Sequence, residues 1–182
     1  MIKNTIQSYG IVSKFFHWVM AFFLFVNLPI GLYMTRIEES PIKILLINFH
    51  KSLGITLLIL IILRIIWKFI NIQPFSLLSL KILNMMVKVF HYIFYIILLT
   101  IPISGWTYSL SLGYPVSFFG LFSLPNFVSE NKLLSEITLF IHNISAYILI
   151  LLIIVHTFSA IYHHFVLKNQ TLNRMWFKKL NE

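Results

Sequence analysis

The amino-acid sequence predicts an all-α integral membrane protein, a bundle of four transmembrane helices that forms a single domain over residues 1–182. Hydrophobic residues make up 59% of the chain and charged residues only 10%. A water-soluble domain of this length could not cover its core with so few polar side chains. In addition, the chain contains four apolar stretches that are each long enough to cross a bilayer. Lipid is therefore the expected solvent.

The four apolar stretches define the predicted helices. Crossing a hydrocarbon core of about 30 Å takes roughly 20 apolar residues in a helix. The stretches cover residues about 15–34, 46–69, 89–110 and 138–166. The first is too long for the apolar core of a signal peptide, contains Pro29 and lacks a small-x-small motif after it, so a retained helix is expected. Glycines and prolines interrupt residues 111–136, which are predicted to form an outer loop at the membrane interface.

Lysine and arginine residues predict the orientation of these helices, because cytoplasmic flanks are enriched in both. With the N-terminus inside, the inner flanks hold Lys3, Lys14, Arg64, Lys68, Lys81, Lys88, Lys168, Arg174, Lys178 and Lys179. The outer flanks hold only Arg36, Lys43, Lys51 and Lys132. Both termini are therefore predicted to be cytoplasmic. The net charge of +9 follows from this topology and does not indicate nucleic-acid binding, since the basic residues flank apolar stretches.

Four histidines lie in or beside the predicted spans, where an ionisable side chain normally faces the bundle interior or a ligand. With this topology His17 and His156 lie near the inner face, and His50 and His142 near the outer face. His142 and His156 share one face of the fourth helix and are about 21 Å apart along its axis. Each level thus has two histidines on different helices, as a haem with two imidazole ligands requires. The sequence predicts two haems, held by His17/His156 and His50/His142.

The absence of cysteine decides how such haems are bound. Without cysteine the chain forms no covalent haem attachment, iron–sulfur cluster or thiolate metal site, so two non-covalent haem b groups are expected. Two alternatives stay open: histidines that only hydrogen-bond between helices, and a metal-ion site, which would lack further carboxylate or thiolate ligands. His91, at the start of the third span, is a rival of His17 as the inner ligand.

Three further side chains have two interpretations each. His163 lies close to the face of His156, and it is either an interfacial solvated side chain or a donor to a quinone carbonyl. Arg64 either extends to the inner interface or contacts a haem propionate. Lys51, beside His50, has the same two interpretations at the outer side.

The chain resembles the prokaryotic cytochrome b561 family along nearly its whole length. The residues that carry the resemblance are Phe16-His17-Trp18, Asn48-Phe49-His50 with Gly54, His91 with Pro102 and Gly105, and His142, His156 and His163-His164 with the tail from Lys168 to Leu172. The resemblance implies a four-helix di-haem protein of the bacterial inner membrane. It also implies that His17, His50, His142 and His156 are the haem ligands and that His91 is not.

The resemblance implies a function as well, namely electron transfer between the outer face and the quinone pool. In some members superoxide is oxidised to oxygen while ubiquinone is reduced, with His163 at the quinone end. The outer flanks here carry about as many acidic as basic residues, so a field that attracts superoxide depends on local placement of Lys43 and Lys51. Alternative functions are an electron-relay subunit for a separate dehydrogenase or hydrogenase, and a non-redox metal-binding or transport protein.

Overall fold

The computed structural model describes residues 1–77 and 80–177. Four long apolar helices make up most of this part of the chain: α1 (Ile11–Met34), α2 (Pro41–Ile70), α3 (Lys81–Ser111) and α4 (Lys132–Phe165). All four are long and apolar enough to cross a membrane. The predicted all-α, four-helix membrane fold is confirmed. Lys178 and Lys179, which contribute to the predicted orientation, lie outside the described residues.

Each helix begins earlier than the apolar stretch that predicted it. Ser40 caps α2 by accepting a hydrogen bond from the Lys43 amide, and Pro41 occupies the first turn, where its missing N–H is not needed. Asn131 caps α4 by accepting from the Leu134 amide at 2.9 Å. Hydropathy identifies only the part of a helix that contacts hydrocarbon, whereas the capping residues set where the helix starts.

The bundle buries a small apolar core and turns larger apolar side chains outward. Met20, Ile61 and Leu149 are almost fully buried where the helices meet. On the side of α4 that faces away from the bundle, Phe140 is 69% exposed and Phe158 is 68% exposed. Lipid imposes no cost on exposed apolar surface, and the helices satisfy their own backbone polar groups, so this arrangement is stable only in a membrane.

The loop between α3 and α4 folds onto the bundle and does not cross the membrane. It contains a two-stranded hairpin of β1 (Ser117–Phe118) and β2 (Phe122–Ser123). The turn places Phe119 and Gly120 at φ 50° and φ 75°, a region that glycine adopts readily. The hydroxyl of Ser52 on α2 accepts from the Phe119 amide at 3.0 Å, which ties the hairpin to the bundle.

At the opposite end the first turns of α1 pack against the tail that follows α4. This tail contains the short helix α5 (Thr171–Met175). Lys14 Nζ donates to the Trp176 carbonyl at 2.7 Å, and the Trp18 indole donates to the Met175 carbonyl at 2.9 Å. Burial raises the pKa of the Tyr9 phenol, which keeps it neutral here. We call this end the inner end, after the predicted orientation, and the hairpin end the outer end.

The predicted orientation is testable with reporter fusions. A green fluorescent protein fused after the C-terminus should fluoresce in a bacterial host, because the basic flanks retain this end in the cytoplasm. Alkaline phosphatase inserted in the loop between Ser111 and Lys132 should be active, since it folds only outside the cytoplasm. A dark C-terminal fusion together with an inactive loop insertion would show the opposite orientation.

Candidate functional site

At the outer level, His50 of α2 faces His142 of α4. Their ring centroids are 6.1 Å apart and their planes are inclined by 80°. His50 Nδ1 lies 3.2 Å from the Asn27 carbonyl of α1, and His142 Nδ1 lies 2.9 Å from the Ile101 carbonyl of α3. A carbonyl only accepts, so each Nδ1–H donates and each neutral ring keeps the lone pair of Nε2 for a metal.

At the inner level, His156 of α4 has two histidine neighbours. The ring of His17 on α1 lies 6.0 Å from it, inclined by 58°, and the ring of His91 on α3 lies 6.1 Å from it, inclined by 87°. His91 Nδ1 donates to the Val87 carbonyl of its own helix at 2.7 Å. Both histidines that the sequence offers as inner ligands therefore lie beside His156.

Arg64 of α2 lies within the inner half of the bundle. Its Nη2 is 3.4 Å from His17 Nδ1, and its Nη1 is 4.0 Å from the sulfur of Met20. The side chain is thus directed towards the inner histidine pair, where a guanidinium could also reach an acidic group of a bound ligand.

His163 is oriented by the tail that follows α4. The Thr171 amide donates to Asn169 Oδ1 at 3.1 Å, which fixes the side-chain amide because a backbone N–H cannot accept. Asn169 Nδ2 must then donate to His163 Nδ1 at 2.8 Å. A neutral His163 ring consequently carries its proton on Nε2 and presents a donor there.

Two lysines of the outer end make different contacts. Lys51 follows His50 on α2, and its Nζ donates to Ser109 Oγ at 2.7 Å and lies 5.9 Å from the centroid of the Tyr114 ring. Lys43 instead forms an ion pair with Glu39 at 2.7 Å. The sequence alone does not distinguish Lys43 from Lys51, whereas in the structure an ion pair partly neutralises Lys43 and a neutral hydroxyl binds Lys51.

Both histidine pairs have the ring spacing that haem requires. An imidazole nitrogen binds a metal at about 2.0–2.1 Å and lies about 1 Å from its ring centroid, so two rings on opposite sides of one iron have centroids about 6 Å apart. The outer rings also have the tautomer that leaves Nε2 for iron. Among the described residues, no group of three or more His, Cys, Asp or Glu side chains is arranged for a metal ion.

Sequence reasoning missed three residues that shape the outer pair. Asn27, only 7% exposed in a membrane helix, supplies a carbonyl to His50, and Gly31 and Gly105 lie directly against the two rings. The acceptor is the backbone carbonyl of Asn27, which any residue type would supply, so no side chain in the sequence indicates this contact. Gly105 entered only through the family resemblance, and nothing in the spacing pointed to Gly31.

The chain is similar to known proteins along most of its length. The family model described as prokaryotic cytochrome b561 matches residues 8–178. A protein of Escherichia coli (strain K12) named cytochrome b561 homolog 2 is 30% identical over 180 residues, covering 94% of this chain and 93% of that protein. The chain therefore belongs to the prokaryotic cytochrome b561 family, multi-pass proteins of the bacterial inner membrane that bind haem b and transfer electrons.

Proposed function

We propose that this chain is a di-haem cytochrome that oxidises superoxide to oxygen at the outer end and reduces ubiquinone to ubiquinol at the inner end. The observation that carries the proposal is the presence of two imidazole pairs at opposite levels of one bundle. The cation Lys51 lies beside the outer pair, and the donor His163 lies on the same helix as His156 of the inner pair. The electron balance is simple: two superoxide ions each lose one electron, and one quinone gains two electrons and two protons.

His50 and His142 would hold one haem b, and His17 and His156 the other. When bound, each haem supplies a centre that accepts and releases one electron at a time. The protein supplies the position of these centres, because the carbonyls of Asn27 and Ile101 orient the outer rings. We assign His17 as the inner ligand in preference to His91 on the family resemblance, and Arg64 beside it as the partner of a haem propionate.

Lys51 would attract superoxide to the outer end. The small anion carries one negative charge, and the outer surface as a whole offers no net positive field. The Lys51 ammonium is held by Ser109 one residue from the ligand His50. Lys51 is therefore the charge that we assign to this attraction.

His163 would bind the quinone at the inner end. Its Nε2–H, set by Asn169, is a suitable donor to a quinone carbonyl oxygen. A hydrogen bond to that oxygen also stabilises the negative charge that builds on it during reduction.

An electron-relay subunit for a separate dehydrogenase or hydrogenase is a second candidate function. The observation that favours it is the apolar surface of the outer loop, where Tyr114, Leu121 and Phe127 are exposed and could contact a partner. The two functions differ in one respect: a self-contained oxidase turns over when purified alone, whereas a relay subunit needs its partner.

The ligand assignment predicts the haem content of histidine variants. Purified wild-type protein should contain two low-spin b haems per chain, and His17→Ala, His50→Ala, His142→Ala and His156→Ala should each lose one of them. His91→Ala should keep both. Reduced-minus-oxidised absorption spectra and haem stoichiometry provide the measurement. If His91→Ala loses a haem and His17→Ala does not, the inner ligand is His91.

The proposed activity predicts turnover by the chain alone. Protein in nanodiscs, given enzymatically generated superoxide and a soluble ubiquinone analogue, should form one quinol for two superoxide ions consumed. Lys51→Met should lower the second-order rate constant for superoxide about tenfold and reduce its salt dependence. Lys43→Met is the matched control and should have a smaller effect, because Glu39 already pairs with this lysine. Absence of turnover with both haems reducible by dithionite would instead favour the relay function.

The quinone assignment predicts a change in KM. His163→Phe should raise the KM for the quinone analogue about tenfold, the effect of losing one hydrogen bond of about 1.4 kcal/mol. His164→Phe, at the neighbouring position, is the control. Haem content should be unchanged in both variants. Equal KM values in His163→Phe and wild type would place the quinone elsewhere.

A further inference from the structure

Two glycines lie directly against the rings of the outer histidine pair. A Cβ atom built on Gly31 of α1 would lie 2.8 Å from His50 Cε1 and 3.3 Å from His50 Nδ1. A Cβ atom on Gly105 of α3 would lie 2.8 Å from His142 Cε1 and 2.9 Å from His142 Nδ1. These separations are shorter than van der Waals contact, so any larger residue at either position forces the ring to move.

The same two helices also accept the ring protons. The Asn27 carbonyl accepts from His50, and the Ile101 carbonyl accepts from His142. Each carbonyl belongs to the residue four positions before the glycine, about one helical turn away on the same face. Each ring therefore lies in a slot on one face of a neighbouring helix, where a carbonyl binds Nδ1 and a glycine leaves room for the Nδ1–Cε1 edge of the ring. The slot occurs in both α1 and α3.

The contacts show that these glycines make room for the imidazole rings and do not mediate close packing of two helix backbones. Small residues in membrane helices commonly allow two backbones to approach. Here the three atoms nearest to each built Cβ all belong to an imidazole ring. Gly54 of α2 has no such neighbour within 4 Å, and the nearest atoms to Gly10 and Gly113 belong to the N-terminal backbone and to Glu130. The inner pair thus has no equivalent slot.

We propose that Gly31 and Gly105 are positioning residues that hold the planes of the outer imidazoles close to perpendicular. The observed angle is 80° at the outer pair and 58° at the inner pair. The relative orientation of two axial imidazoles determines how their π orbitals interact with the iron, and it affects both the anisotropy of the ferric electron paramagnetic resonance signal and the reduction potential. The slots therefore make the outer haem spectroscopically distinct from the inner one. This inference rests on the proposed ligation by His50 and His142.

The test compares Gly31→Ala, Gly105→Ala and the control Gly54→Ala in purified protein with haem bound. Electron paramagnetic resonance of the oxidised protein and a redox titration followed by absorption provide the measurements. Because the interplanar angle of 80° is close to a right angle, rotation of an imidazole ring by the added methyl group should lower this angle. The electron paramagnetic resonance signal of the outer haem should then become less anisotropic. The outer potential should shift as well, whereas the inner haem and the Gly54→Ala protein should match wild type.

Four outcomes decide the proposal. A change confined to the outer haem supports it, and so does loss of the outer haem alone with the inner spectrum and Tm unchanged. Wild-type outer signals in both alanine variants overturn it, as does an equal change in both haems, which would show a general effect on the bundle. The histidine variants test the ligand assignment independently of the glycine variants. If His50→Ala and His142→Ala retain two haems, these histidines are not the outer ligands, whatever the glycine variants show.

Discussion

An imidazole inside a lipid-embedded bundle must find a partner for each ring nitrogen, because hydrocarbon offers none. This constraint governs the outer half of the protein. His50 and His142 give their Nδ1 protons to carbonyls of neighbouring helices, which leaves the Nε2 lone pair of each ring available. The rings are thus oriented by backbone groups, and backbone groups cannot change rotamer, so the orientation of both rings is fixed.

The inner half satisfies the same constraint less strictly. His91 donates within its own helix, while His17 Nδ1 lies beside the Arg64 guanidinium. A long cationic side chain can move, and it can respond to a charged ligand or to a change of redox state. This contrast suits the proposed division of function, in which the outer centre exchanges electrons with a small ion and the inner centre works beside a larger, mobile quinone.

In the outer half, the net charge does not show which individual charges are paired. The outer flanks are close to neutral overall, yet the Lys43–Glu39 ion pair and the Lys51–Ser109 hydrogen bond give the two lysines different roles. An exposed ion pair contributes little to stability. Its effect here is to reduce the field of Lys43, whereas the contact of Lys51 with a neutral hydroxyl does not offset its charge.

The sequence by itself determined the class of fold, the positions of the spans and the level of each histidine. These properties are local: hydropathy over about 20 residues identifies a span, and a rise of 1.5 Å per residue gives the depth of a side chain. Even the separation of His142 and His156 followed from their spacing along one helix. The helices extend beyond these spans, and at α2 and α4 a polar capping residue outside the apolar stretch sets where the helix starts.

Only the tertiary structure decided which side chains meet across helices. Such contacts depend on how each helix is rotated about its axis and on how neighbouring helices pack, and neither is encoded in the spacing of residues along one helix. The glycine slots at Gly31 and Gly105, the closeness of His91 to His156, and the position of Arg64 beside His17 are all contacts of this kind. The sequence could therefore place a pair of imidazoles at each level, but the angle between their planes had to come from the packed bundle.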